Sequence, residues 1–280
     1  MRCFGLLTFD SVGTFGLIFQ NITFAITVPI YLLIHVLTSP AAGSFPGKHA
    51  SSVLLVPAVD FGILPLSVVL GYIIPSVLMG LPSPSVLSPT LHQQLIALWQ
   101  PFPLWSVLIQ WSTKYIYTIF TAKTSKIDAK EMASLQKSYL GGAKYVYGFV
   151  LMLCMTTHIP VLAISLLPPS TFSESTPILA HLAQSDFFGV FVPYPPVLGL
   201  EFSTLAQGVQ NFLVWDLYIG STAFLLWATL LYRNAAIGSS WLKLSWNILT
   251  STLFSGPIGA ATILLWERDA IVGLKDKQGI

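Results

Sequence analysis

The chain has 280 residues, of which 54% are hydrophobic and 9% charged, with a formal net charge of +2. A typical soluble domain carries roughly 25% charged residues, so this composition points to an integral membrane protein. So small a net charge, with no Lys/Arg cluster interleaved with aromatics in a soluble stretch, sets nucleic acid aside as a partner.

Cut at its polar and Pro/Ser-rich stretches, the sequence predicts spans at about 14–37, 53–79, 93–117, 145–168, 211–232 and 241–266. Each is long enough to cross a bilayer, which takes about 20 apolar residues at helical rise. The fold class expected is all-α: a polytopic transmembrane helix bundle of about six spans, a seventh being the alternative, in a single integral membrane domain over 1–280. The first run is too long for the apolar core of a cleaved signal peptide and reads as a retained helix. Between the spans lie LPSPSVLSPT at 81–90, a lysine-rich loop at 121–144 and a long acidic loop at 169–210. The last contains FFGVFVPYPPVLGL, apolar but broken by prolines, which suits an interfacial or re-entrant segment.

Cytoplasmic loops retain Lys and Arg. Placing 121–144 in the cytoplasm puts Lys48, Lys114, Lys123, Lys126, Lys130, Lys137, Lys144, Arg233 and Lys243 on that side, and Arg2, Arg268, Lys275 and Lys277 opposite. Both termini are then expected in the lumen or exterior, together with the 169–210 loop.

Asp216 lies inside the run NFLVWDLYIGSTAFLLWATLLY, where an unpartnered carboxylate is costly. Counted from the span ends, Asn21, Gln100, His158 and Asp216 fall in the outer half, and Glu267 falls at the outer end of the last helix. Asp60 is the exception, roughly 10 Å in from the cytoplasmic end of the second span. Asn21, Gln100 and His158 taken singly read as helix-bridging groups, whereas a carboxylate at 216 calls for a use or a partner. Trp99 and Trp105 bracket WQPFPLW, and Trp215 and Tyr218 flank Asp216. Aromatics near span ends serve as interfacial anchors, a reading that explains Trp215 beside a buried acid less well. On the Asp216 face Gly220 and Ala223 are small enough to let a helix or a flat ligand approach closely.

No Asp-rich magnesium motif, Walker A, GxSxG, HExxH, CxxC or Rossmann glycine run is present. Cys3 and Cys154 form neither a disulfide framework nor a metal pattern. An enzyme of this sequence is expected to need no metal and none of those cofactors, and to act on something that dissolves in lipid.

The stretches PIYLLIHVLTSP (29–40), LWQPFPLW (98–105), VWDLYIGS (214–221) and GPIGAATILLWERDAI (256–271) resemble the fungal membrane-bound terpene cyclases of meroterpenoid pathways, of the ascofuranone, ascochlorin and macrophorin kind, and related integral membrane proteins of indole-diterpene clusters. Members of that family tend to be longer, with extra helices toward the N-terminus. The resemblance implies a multi-pass protein of the endoplasmic reticulum and a lipophilic prenylated substrate. A carboxylic acid would protonate a terminal epoxide or alkene, a cation cascade would close rings, and a base would remove the last proton. For that chemistry the residues already singled out offer Asp216 as the expected proton donor, Glu267 as its hydrogen-bond partner or the terminating base, and Asp60 as the reserve acid. Trp99, Gln100, Phe102, His158, Trp215, Tyr218 and Asn21 would line the substrate, the aromatics offering π faces to the cation.

Two rival readings come from the same residues. In a transporter, Asp216, His158 and Asp60 would mark a proton or substrate path, although the halves show no convincing repeat. In a non-catalytic scaffold, Asp216 would only bond a neighbouring helix and the chain would hold other pathway enzymes together.

Overall fold

A computed structural model describes residues 9–43, 58–121, 129–171, 186–197 and 201–278. All regular structure among the described residues is helical: α1 (Phe9–Ile22), α2 (Phe24–Thr38), α3 (Ala58–Val68), α4 (Ile74–Met79), α5 (Pro89–Trp99), α6 (Phe102–Thr121), α7 (Ala129–Leu166), α8 (Phe187–Phe191), α9 (Leu205–Ala235) and α10 (Trp241–Gln278). A π-helical turn, Val69–Ile73, joins α3 to α4, so the two make one pass. Pro65 and Pro75 stand on either side of it. By length and composition four helical stretches could cross a membrane, Val59–Met79, Gly141–Leu166, Leu205–Ala235 and Trp241–Leu274, the last of them broken at Gly256.

Two of the expected spans are not single crossings. The first breaks at Thr23, which holds φ 121°, a value costly for a β-branched residue. From there α2 folds back on α1, with Phe15 and Tyr31 rings 4.8 Å apart. The last reverses at Gly256 (φ 68°, ψ 174°), followed by Pro257. In a straight helix Asn247 and Glu267 would stand about 30 Å apart. Instead their side chains meet at 3.4 Å, so α10 is a hairpin of two arms, 241–255 and 257–278. The expected third span holds a break at Gln100–Pro101 between α5 and α6, yet both run against the α3–α4 pass, pairing Trp99 with Ser76 and Phe102 with Tyr72.

The contacts close a ring: α1 on α2, α2 on α9, α9 on α10, α10 on α7, α7 on α3, α3 on α6, and α6 back on α1. Direction follows from which residues meet. Helix α6 runs against α3, pairing Lys114 with Asp60 and Phe102 with Tyr72. The second arm of α10 runs against α7, pairing Asp269 with Tyr147 and Gly256 with His158. Helices α2 and α9 run parallel: Ala25 meets Asp216, His35 meets Trp227 and Ala42 meets Asn234. The core is the second arm of α10, whose Ala261, Leu264 and Leu265 pack on Ala228 and Leu231 of α9. Alanines there let the helices approach closely, the usual source of adhesion between helices in lipid.

The two reversals correct the expected topology. Asp269 and Val272 lie beside Tyr147 of α7 and Ala235 of α9. Phe9 lies at the same end, since α1 descends from it toward Thr23. Both ends of the described chain therefore share the end of the bundle where α6 finishes and α7 begins, rather than the opposite one; most of the expected 121–144 loop, from Ala129 on, is the start of α7. Arg268 accordingly sits with Lys114 and Arg233, not across the bilayer from them. Arg2, Cys3, Lys48, Lys123 and Lys126 lie outside the described residues, as do the side chains of Lys130, Lys137, Lys275 and Lys277.

Candidate active site

Asp216 is half-buried on α9 and faces the start of α2. Its Oδ1 accepts the backbone N–H of Ala25 at 2.7 Å and its Oδ2 that of Phe24 at 3.3 Å. The first N–H groups of any helix lack intrahelical partners, and Thr23 supplies no side-chain bond to them. Asp216 thus caps α2 from another helix. The approach is close: a Cβ on Gly220 would come within 2.2 Å of the Phe24 ring. The tightness that Gly220 permits is used by a helix.

The flanking aromatics are also anchored. Trp215 Nε1 donates to the Tyr194 carbonyl at 2.7 Å, and the Tyr218 hydroxyl to that of Phe191 at 2.5 Å. Together they hold the segment around α8 onto α9. Trp99 donates to Ser76 Oγ at 2.8 Å, and its ring lies 5.5 Å from Phe102, which also meets Phe19 and Tyr72. His158 stands edge-on to Phe191 with ring centroids 6.0 Å apart. Asn21 is exposed and bonds its own helix at the Leu17 carbonyl, and Gln100 is exposed between α5 and α6.

Asp60 lies at the other end of the bundle, in an ion pair with Lys114 at 2.7 Å. Glu267 is at that end too. Its neighbour Tyr232 is about 24 Å along α9 from Asp216, so Asp216 and Glu267 are not hydrogen-bond partners. The structure therefore does not bring the expected acid and base together.

Glu267 lines a cavity of about 660 Å³ between the end of α9 and the two arms of α10. Tyr232, Trp246, Leu244 and Ile271 give it apolar and aromatic walls, Asn247 and Thr250 line it beside Glu267, and Ser239, Ser240 and Lys243 lie where α9 passes to α10. Within this cavity Glu267 Oε1 accepts from Asn247 Nδ2 at 3.4 Å. A second cavity, of about 690 Å³, lies between α8 and the start of α9 and is lined by Asp186, Tyr194, Gln207, Gln210 and Asn211 among others, without Asp216.

Behind Glu267 sits a polar cluster that the sequence reading missed. The Tyr147 hydroxyl donates to Asp269 Oδ2 at 2.7 Å, and Arg268 lies 3.4 Å from Asp269 Oδ1. Arg268 also donates to the Ala41 carbonyl at 3.3 Å, and Asn234 to that of Ala42 at 2.7 Å. The available signal was the Gly256-Pro257 pair, a turn dipeptide that reverses the chain and carries WERD into the bundle.

Comparison with known proteins gives a match to the family model described as the CtvD domain over residues 6–273. The terpene cyclase ascI of Acremonium egyptiacum is 29% identical over 279 residues, covering 97% of this chain and 66% of that protein. The terpene cyclase penA of Penicillium crustosum is 31% identical over 210 residues, 72% of this chain and 52% of its own. The terpene cyclase ctvD of Aspergillus terreus is 27% identical over 261 residues, 91% and 66%. The chain thus spans about half to two thirds of the length of these curated relatives. No solved structure matches.

Proposed function

Because the chain belongs to the CtvD-domain family, whose curated fungal relatives are named terpene cyclases, we propose that it cyclises a lipophilic prenylated substrate in the membrane, with Glu267 as proton donor. One comparison carries the choice of acid. Among the described carboxyls of the bundle, Asp216 is held by two backbone N–H groups, Asp60 by Lys114, and Asp269 by Tyr147 and Arg268. Glu267 has a single amide contact and lines a cavity of ligand size.

In this reading the Glu267 O–H transfers its proton to an epoxide oxygen or terminal alkene of the prenyl chain. The C–O bond opens, or the π bond is consumed, and a carbocation forms that a neighbouring double bond attacks. Tyr232 and Trp246 present π faces to the cation. Loss of a proton to the Glu267 carboxylate restores the acid, so the net change is an isomerisation. Leu244 and Ile271 add apolar wall beside these aromatics. Asp216 then serves as the cap that fixes α2 on α9.

By the retention of Lys and Arg in the cytoplasm, the end bearing Lys114, Arg233, Lys243 and Arg268 is assigned to the cytoplasmic face of the endoplasmic reticulum. Microsomes bearing the chain, given epoxidised farnesyl or geranylgeranyl aromatics, test the function. Cyclised product that disappears in Glu267→Gln at unchanged protein level supports it; undiminished product in that variant removes Glu267 from the role.

A further inference from the structure

Resting on the reading of Glu267 as proton donor, a second residue can be assigned to the same site. Asn247 belongs to the first arm of α10 and meets Glu267 only because the chain doubles back at Gly256. Its amide is held on both sides. Ser251 Oγ donates to Asn247 Oδ1 at 3.3 Å, and Asn247 Nδ2 donates to Glu267 Oε1 at 3.4 Å. Ser251 stands one turn along the same arm, so it turns the amide with its N–H toward the carboxyl. A donor on Oε1 makes that oxygen the acceptor and leaves Oε2 to carry the proton. We infer that Asn247 is the positioning residue of the site, directing the protonated oxygen of Glu267 to the substrate while touching no reacting atom itself.

A positioning role predicts a loss in the chemical step rather than in binding. Asn247→Leu keeps much of the side-chain volume and removes the donor; its kcat falls roughly 10- to 100-fold, the scale of a hydrogen bond to a charged or reacting group, with KM unchanged. Asn247→Gln retains an N–H donor and restores most of that loss. Both are assayed in microsomes with the epoxidised prenyl aromatics, beside wild type and Glu267→Gln. A wild-type rate in Asn247→Leu, a change confined to KM, or a kcat loss that Asn247→Gln fails to restore overturns the inference alone, provided Glu267→Gln is inactive. Full turnover by Glu267→Gln, or no product from wild type, overturns the reading of Glu267 and this inference with it.

Discussion

A 2.7 Å hydrogen bond joins the backbone N–H of Ala25 to the carboxyl of Asp216, linking the first turn of α2 to a helix far along the chain. With the Phe24 N–H on the other oxygen, the acid does for α2 what an N-cap side chain does locally. Its removal should therefore be felt as stability. Asp216→Ala is expected to cost about 1–2 kcal/mol, the range for losing a cap, and Asp216→Asn less, since an amide oxygen still accepts one N–H. Thermal unfolding in detergent orders them wild type, Asn, Ala; equal midpoints for all three would contradict the capping role.

Close packing at the same crossing gives a coupled pair. A Cβ on Gly220 would press within 2.2 Å of Phe24, so Gly220→Ala should cost about 1–3 kcal/mol through overpacking. Phe24→Leu in the same chain should recover part of that cost. Strictly additive losses in the double variant would show that the two residues do not touch.

Reversal of α10 at Gly256 is open to a distance measurement. Spin labels at Trp241 and Leu274, both exposed, would stand about 50 Å apart on a straight helix. The hairpin brings both to one end of the bundle, and the pulsed-resonance distance should fall below half that value. A distance near the straight-helix value would unfold the hairpin and dismantle the cavity around Glu267.

Sidedness follows from the same reversals. Cysteines at Ile237 and Leu274, with Cys3 and Cys154 replaced, should react together or stay protected together when sealed microsomes meet a membrane-impermeant maleimide. Reaction at one position and protection at the other would place an odd number of crossings between them.

Composition alone made the helical membrane class legible, and an acid inside an apolar run drew attention to Asp216. Gly220 was legible too, because only a small residue allows so close an approach. The corners were not. Thr23 and Gly256 lie inside apolar runs, and α1, α2 and the first arm of α10 have 14–15 residues each, so an averaging window joins what the backbone divides. Asp216's partners were invisible for another reason: they are backbone N–H groups, which every residue but proline carries. Mistaking the hairpin for a straight crossing sent Glu267, Arg268 and their neighbours to the wrong end of the bundle. The contacts of Glu267 with Asn247 and of Asp269 with Tyr147 disappeared with that error.

The assignment of the acid is tested most directly by product yield from wild type, Glu267→Gln and Asp216→Asn at matched membrane levels. A general acid contributes roughly 100- to 10,000-fold, so Glu267→Gln should fall by at least that lower factor. Asp216→Asn should keep its product, reduced only as far as its folded fraction is reduced. Abolished product in Asp216→Asn, with Glu267→Gln turning over at the wild-type rate, would contradict the account.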